Sequence, residues 1–280
     1  ENEKQVVEWL ERKEIIAIRG PRQCGKTTFL YRLIELIKEK GTPKNNIHYI
    51  SFEDDFEKEK FEKNPKDYIS FNLSPGRNYF LLDEVQYIKN AGKLLKLIYD
   101  SLENIKIIIT GSSTLDLNDL GSYLVGRVIL FDMHPFSFGE FLHAKNEKLY
   151  RYHQAKRIGF HTEKIKTEEI IFLEDLNKLL KEYITFGGYP AVVLENDIEK
   201  KKILLKNLYQ TYIEKDIVKV YGSKYKQRIG DLVKCLSSLN ASMINYTELS
   251  SSISLYDKEV KEILSILEHT YIVKIIKPFH

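Results

Sequence analysis

The residues most able to do chemistry in this chain begin at "GPRQCGKTT", residues 20–28. Gly20, Gly25, Lys26 and Thr27 stand at G-x-x-x-x-G-K-[ST] spacing, the pattern of a loop that cradles a nucleotide phosphate. Glycines let successive backbone amides converge on one anion, because no side chain blocks their path. On this reading Gly20, Pro21, Arg22, Gln23, Cys24, Gly25, Lys26, Thr27 and Thr28 surround the phosphates. Lys26 reaches the β- and γ-phosphates and the Thr27 hydroxyl ligates Mg²⁺. A second signal is the apolar run "NYFLLDE" (78–84), which ends in an acidic pair. Asp83 is expected to hold Mg²⁺ through water, and Glu84 to polarise an attacking water. A third is Thr110-Gly111-Ser112-Ser113 at the end of another apolar run. Ser112 is the candidate hydroxyl for sensing the γ-phosphate; the competing reading is a helix N-cap, which Ser113 suits. Arg127 is a candidate arginine finger for a neighbouring subunit's nucleotide, set against the ordinary solvated or ion-paired arginine.

These residues need a strand before the loop and a helix after it. "EIIAIR" (14–19) is short, apolar and β-branched, and Phe29, Leu30, Leu33, Ile34 and Ile37 recur at helical spacing up to Gly41. Further strand-like runs are "IHYISF" (47–52), "IKIIITGSS" (105–113) and "RVILFDM" (127–133), with helical patterns between several of them. Strands alternating with helices predict a parallel α/β sheet covered on both faces, with ligands at the carboxyl ends of the strands. In "HPFSFGEFL" (134–142), Ser137 and Glu140 read as a capping box, and Phe136 and Phe141 as the flanking hydrophobic staple.

Composition sets bounds. The chain has 280 residues, 43% hydrophobic and 30% charged, with a net charge of +3. This suits an ordinary globular protein of one large or two medium domains. Cys24 and Cys235 cannot make a disulfide framework and fit a reduced, cytoplasmic compartment. No apolar run approaches membrane-spanning length and no signal-peptide pattern opens the chain. The histidines show no metal-ligand spacing, and no Ser/His/Asp or Cys/His constellation is visible. The first residue is Glu, so a trimmed start is expected.

The matching stretches "GPRQCGKTT", "LLDEVQ", "IIITGSS", "LVGRVILFDMHPFSFGEFL" and "FGGYP" together resemble the prokaryotic, largely archaeal, AAA-type P-loop ATPases related to the STAND class of signalling NTPases. The resemblance covers residues 14 to 190. It implies a sheet ordered 5-1-4-3-2, Mg²⁺-ATP as ligand and an all-α lid. It also makes "FGGYP" (186–190) the lid's Gly-x-Pro motif, with Pro190 near adenine. The local reading of the same stretch is a helix C-cap with Gly187 left-handed. Relatives of this kind carry a further C-terminal domain described as restriction-endonuclease-like, so the natural chain is expected to continue.

Three domains follow from this reading: an AAA-like P-loop core (1–145), a linker and helical lid (146–228), and a winged-helix domain (229–280). Segment 146–170 is polar without clear period and reads as a linker or insertion. Residues 200–228 carry nine Lys or Arg and two acidic residues. Residues 229–280 carry five Lys and six acidic residues. The winged-helix expectation rests on helices near 229–240, at "YTELSSSI" and at 257–268, with "YIVKIIKPF" as the first strand of the wing.

Two uses of ATP stay open. One is an ATPase directed to double-stranded DNA through the winged helix and the basic 200–228 helix, chiefly Lys200, Lys201, Lys202, Lys224, Lys226 and Arg228. The other is a nucleotide-controlled switch that docks a protein partner. A homo-oligomer is compatible with either. A small-molecule kinase is disfavoured, since a water-activating Glu84 serves hydrolysis.

Overall fold

The computed structural model describes residues 2–111, 122–156, 167–212, 222, 225–239 and 242–276. Five strands, β1 (Ile15–Arg19), β2 (Ile47–Ser51), β3 (Asn78–Asp83), β4 (Ile105–Gly111) and β5 (Val128–Asp132), form one sheet ordered β2-β3-β4-β1-β5. Every pairing is parallel. This is the expected 5-1-4-3-2 order, read from the other edge.

Burial follows from position in the sheet. The interior strands β3 and β4 are buried along their whole length, and β1 is buried up to Arg19. The edge strands β2 and β5 are only partly covered. Alternate side chains of each interior strand feed opposite faces, as the two-residue period requires. Ile15, Ala17, Phe80, Leu82, Ile107 and Ile109 share one core with Phe61 of α3 (Asp55–Lys63), Ile69 of α4 (Pro65–Ser70) and Leu95 and Ile98 of α5 (Ala91–Ser101). Ile16, Ile18, Leu81 and Ile108 share the other with Val6 of α1 (Asn2–Glu8) and Leu30, Leu33 and Ile37 of α2 (Lys26–Glu39).

The chain divides into two compact units, one of residues 1–22, 26–133 and 212–280, the other of 23–25 and 134–211. The second unit contains α6 (Phe138–Lys145), α7 (Glu147–Lys156), α8 (Thr167–Phe186), α9 (Pro190–Leu194) and α10 (Ile198–Thr211). The Ser137–Glu140 capping box is formed. The polar stretch read as a linker begins with α7. Its Leu149 is buried beside Phe141 and Leu142, a short apolar anchor that the helical period does not reveal.

"FGGYP" has a physical explanation that uses both glycines. Gly187 has φ +74° and ends α8, its N–H bonding Tyr183 O at 2.8 Å. Gly188 lies against the backbone of Phe136: the Phe136 N–H donates to Gly188 O at 2.7 Å, and the Tyr183 hydroxyl donates to Phe136 O at 2.8 Å. A Cβ on Gly188 would fall 2.0 Å from Phe136 O. One glycine is required by backbone conformation, the next by close approach.

Within the first unit, α11 (Tyr225–Ser238), α12 (Tyr246–Ser252) and α13 (Asp257–His269) share a separate apolar core. Val260, Ile263, Leu264 and Leu267 of α13 are buried in it, as their spacing predicts. The expected wing strand is not formed among the described residues up to Ile276. The chain turns instead at Tyr271 (φ +60°), and the Ile272 and Val273 N–H groups bond back to Leu267 O. The described residues of the basic run belong to two helices, α10 (Ile198–Thr211) and α11 (Tyr225–Ser238), with a left-handed Gly222 (φ +95°) before the second. No helix of the described residues is long and apolar enough to cross a membrane.

Candidate functional site

The loop between β1 and α2 carries two left-handed residues, Gln23 (φ +59°) and Gly25 (φ +103°). Left-handed residues interspersed in a tight loop curl its amides toward a common point. Gly20, Pro21 and Cys24 are buried, Gln23 and Thr28 exposed, and Arg22 and Gly25 intermediate. The Arg22 guanidinium donates to the Tyr87 hydroxyl at 3.5 Å. Lys26 opens α2 and is buried, its ammonium donating to the carbonyls of Gly20 (3.1 Å) and Pro21 (3.0 Å). It is thus folded over the start of the loop. The amino end of α2 adds the partial positive charge of unpaired helix amides.

Three hydroxyls converge on Asp83, which is 2% exposed at the carboxyl end of β3. Thr27 Oγ1 donates to Asp83 Oδ2 at 2.8 Å, and the Tyr49 hydroxyl donates to the same oxygen at 2.8 Å. Thr110 Oγ1 donates to Oδ1. Burial, with the neighbouring Tyr31 hydroxyl and the bond to Asp83, pushes the Tyr49 pKa up, so its hydroxyl stays a donor. The next residue, Glu84, is left-handed (φ +58°), and its N–H donates to Thr110 Oγ1 at 3.0 Å. A non-glycine residue in that conformation costs about 1 kcal/mol, here offset by the fixed hydrogen bond. The Glu84 carboxylate accepts from the Gln86 amide.

A second cluster borders the loop on the β5 side. Arg19, the residue before Gly20, pairs with Asp132 through Nε and through Nη2 at 3.1 Å. The Tyr271 hydroxyl, from the turn after α13, donates to Asp132 Oδ1 at 3.0 Å. The hydrogen bond to Asp132 holds the Arg19 pKa above its ordinary value, against the opposing effect of burial.

The phosphate-loop residues, Lys26, Thr27, Asp83 and Glu84 therefore sit at the carboxyl ends of β1 and β3. Arg127 does not join them in its own chain. It precedes Val128, which pairs with Ile15 at the amino ends of parallel β5 and β1, whereas Gly20 follows the opposite end. Its Nε bonds Asp100 at 3.0 Å. Pro190 is the first residue of α9 in the second unit. Ser112 lies outside the described residues, as does Lys224. Of the other cations named for DNA, Lys201 is 2% exposed and bonded to Glu182, its ammonium 5.1 Å from the Phe186 ring centroid. Lys202 pairs with Glu199 at 2.7 Å, and Arg228 pairs with Glu259. Among the described residues there is no cluster of three His, Cys, Asp or Glu fit to hold a metal by themselves.

Tyr49, Thr110, Arg19, Asp132 and Tyr271 are the residues of this region to which sequence reasoning assigned no role. Thr110 carried a faint signal, a hydroxyl at the end of an apolar strand. Tyr49 gave none beyond a tyrosine in a strand-like run.

Comparison with known proteins agrees with this geometry. Residues 12–142 match the family described as an AAA domain, and residues 177–280 match a domain of unknown function, DUF8612. With the parallel sheet order, the first match fits a P-loop NTPase fold. An uncharacterised protein of Haemophilus influenzae is 26% identical over 285 residues, covering 96% of this chain and 64% of its own. Uncharacterised protein MJ1544 of Methanocaldococcus jannaschii is 29% identical over 250 residues, covering 88% of this chain and 52% of its own. The chain thus spans between about half and two thirds of the length of these curated relatives. Among solved structures, the Aeropyrum pernix ORC1 protein in complex with DNA overlaps 96% of this chain and 82% of that one. Its TM-score is 0.41 and its sequence identity 11%.

Proposed function

We propose that this chain binds Mg²⁺-ATP and hydrolyses it to ADP and phosphate. The observation that carries the reading is the junction of Thr27 with Asp83 beside a left-handed Glu84, next to a loop of phosphate-binding spacing. Lys26 would give its ammonium to the β- and γ-phosphates, with Gly20 to Thr28 wrapping the phosphates. Glu84 would orient and deprotonate water. Ser112 would report on the γ-phosphate, Pro190 would lie near adenine, and Arg127 would act on the nucleotide of a second subunit.

Thr27 and Asp83 fit a hard divalent cation. The Thr27 hydroxyl donates its one proton to Asp83 and keeps its oxygen lone pairs for a ligand. Held by Thr27, and by Asp83 through water, Mg²⁺ would supply positive charge that offsets the charge developed in phosphoryl transfer.

A second reading concerns residues 229–280, which we take as a winged-helix domain that docks a protein partner under nucleotide control. It is favoured over DNA by the charges: Lys201 is buried against Glu182, and Arg228 is neutralised by Glu259 on α13. DNA binding needs cations free to replace phosphate counterions. ATP turnover with and without duplex DNA, with anisotropy of labelled duplex at several salt concentrations, separates the two. Turnover unaffected by DNA and no binding at low salt support the docking switch. Salt-sensitive binding weakened by Lys200→Glu with Lys202→Glu restores the DNA-directed ATPase. Absence of any ATP hydrolysis overturns the ATPase itself.

A further inference from the structure

We propose that Tyr49 is a positioning residue for the divalent cation, acting through Asp83; this rests on the Mg²⁺-ATP reading above. Strand β2 lies beside β3 in parallel register, with Tyr49 opposite Leu81 and Ser51 opposite Asp83. From there the Tyr49 hydroxyl reaches Asp83 Oδ2, the oxygen that Thr27 also binds. With Thr110 on Oδ1, both carboxylate oxygens are committed. The phosphate-loop pattern and the acidic strand end account for Thr27 and Asp83. Neither demands a tyrosine on the adjacent strand.

The restraint closes on itself. Tyr31 lies on α2 four residues after Thr27, one turn further along the same helix face. Its ring packs against that of Tyr49, with centroids 5.1 Å apart and planes tilted by 42°. Helix α2 therefore meets Asp83 twice, directly through Thr27 and indirectly through Tyr31 and Tyr49. A carboxylate held from two sides cannot rotate away from the Thr27 hydroxyl without breaking a second hydrogen bond. The carboxylate and the Thr27 oxygen it orients are thus pre-set for a cation that Thr27 ligates and Asp83 holds through water, and the cost of ordering them is met in folding.

The inference separates metal affinity from nucleotide affinity. Mn²⁺ binding is read by electron paramagnetic resonance in the presence of a non-hydrolysable ATP analogue, and analogue binding in EDTA is read by calorimetry. For Tyr49→Phe the Mn²⁺ dissociation constant should rise about three- to tenfold, the range for loss of one ordinary hydrogen bond, since Tyr49 acts on the cation only through Asp83. Analogue affinity in EDTA should match the unmodified protein. Tyr31→Ala, which removes the ring packed against Tyr49 but keeps the Tyr49–Asp83 bond, should raise the Mn²⁺ constant in the same direction by less, and supplies the test if Tyr49→Phe does not fold. Unchanged or tighter Mn²⁺ binding in the folded variants overturns the role of Tyr49. A parallel loss of analogue affinity in EDTA overturns it too, since the effect would then be general damage to the site. Failure of the unmodified protein to bind the analogue with or without Mn²⁺ overturns the ATP reading, and this inference with it.

Discussion

Thr27 Oγ1 and Asp83 Oδ2, 56 residues apart in sequence, meet at 2.8 Å. One lies in the first turn of the helix that follows the phosphate loop, the other ends the neighbouring-but-one strand. Their meeting depends on β4 lying between β1 and β3 in the sheet.

Lys26→Ala removes the ammonium that folds over the loop at Gly20 and Pro21. ATP affinity by calorimetry should fall at least tenfold, or roughly 1.4 kcal/mol. An unchanged dissociation constant rules out phosphate contact by Lys26.

Glu84→Gln keeps the side-chain size and the backbone bond to Thr110 while removing the carboxylate base. ATP binding should persist and turnover should drop on the order of a hundredfold or more. Normal single-turnover hydrolysis in this variant would place the base elsewhere.

The two glycines of "FGGYP" should differ in cost. Gly187→Ala meets no atom but forces a left-handed conformation on a residue with a Cβ, destabilising by about 1–2 kcal/mol. Gly188→Ala drives its Cβ into Phe136 O and should cost about 3 kcal/mol or more. Urea denaturation of both variants checks the order; equal midpoints contradict the close approach.

Lys106 is 0% exposed, and its ammonium donates to the Arg12 carbonyl at 3.1 Å and to the Glu14 carbonyl. Burial, with Arg77 adding to it, lowers its pKa to about 8. An unfolded lysine titrates near 10.4. Between these values the unfolded chain binds more protons, so the contribution of Lys106 to stability rises with pH across that window and is lost as pH falls toward 8. The unfolding free energy of the unmodified protein relative to Lys106→Met should therefore increase from pH 8 to 10. A flat difference would mean that the folded and unfolded pKa values coincide.

The sequence by itself determined what short-range spacing can specify. Gly20, Gly25, Lys26 and Thr27 are fixed relative to one another by a few covalent links, so their pattern predicts the loop. The Ser137–Glu140 cap and the inward face of α13 are local in the same sense. The alternation of strands and helices gave a parallel sheet, and the family resemblance supplied its order. Only the tertiary structure decided the partners of Asp83, because Tyr49 and Thr110 reach it through strand neighbours and register that no local spacing encodes. It also decided which charges stay in water. Lys201 stands in a run of lysines that reads as a solvated face, yet it pairs with Glu182 from another helix and is buried. Arg127 follows the same logic. Its distance in sequence from the loop says nothing about sidedness, and the parallel direction of β5 puts it at the amino ends of the strands, while Asp132 at the other end of β5 reaches Arg19 beside the loop. A charge's surroundings are set by every element packed around it, and those elements come together only when the chain has folded.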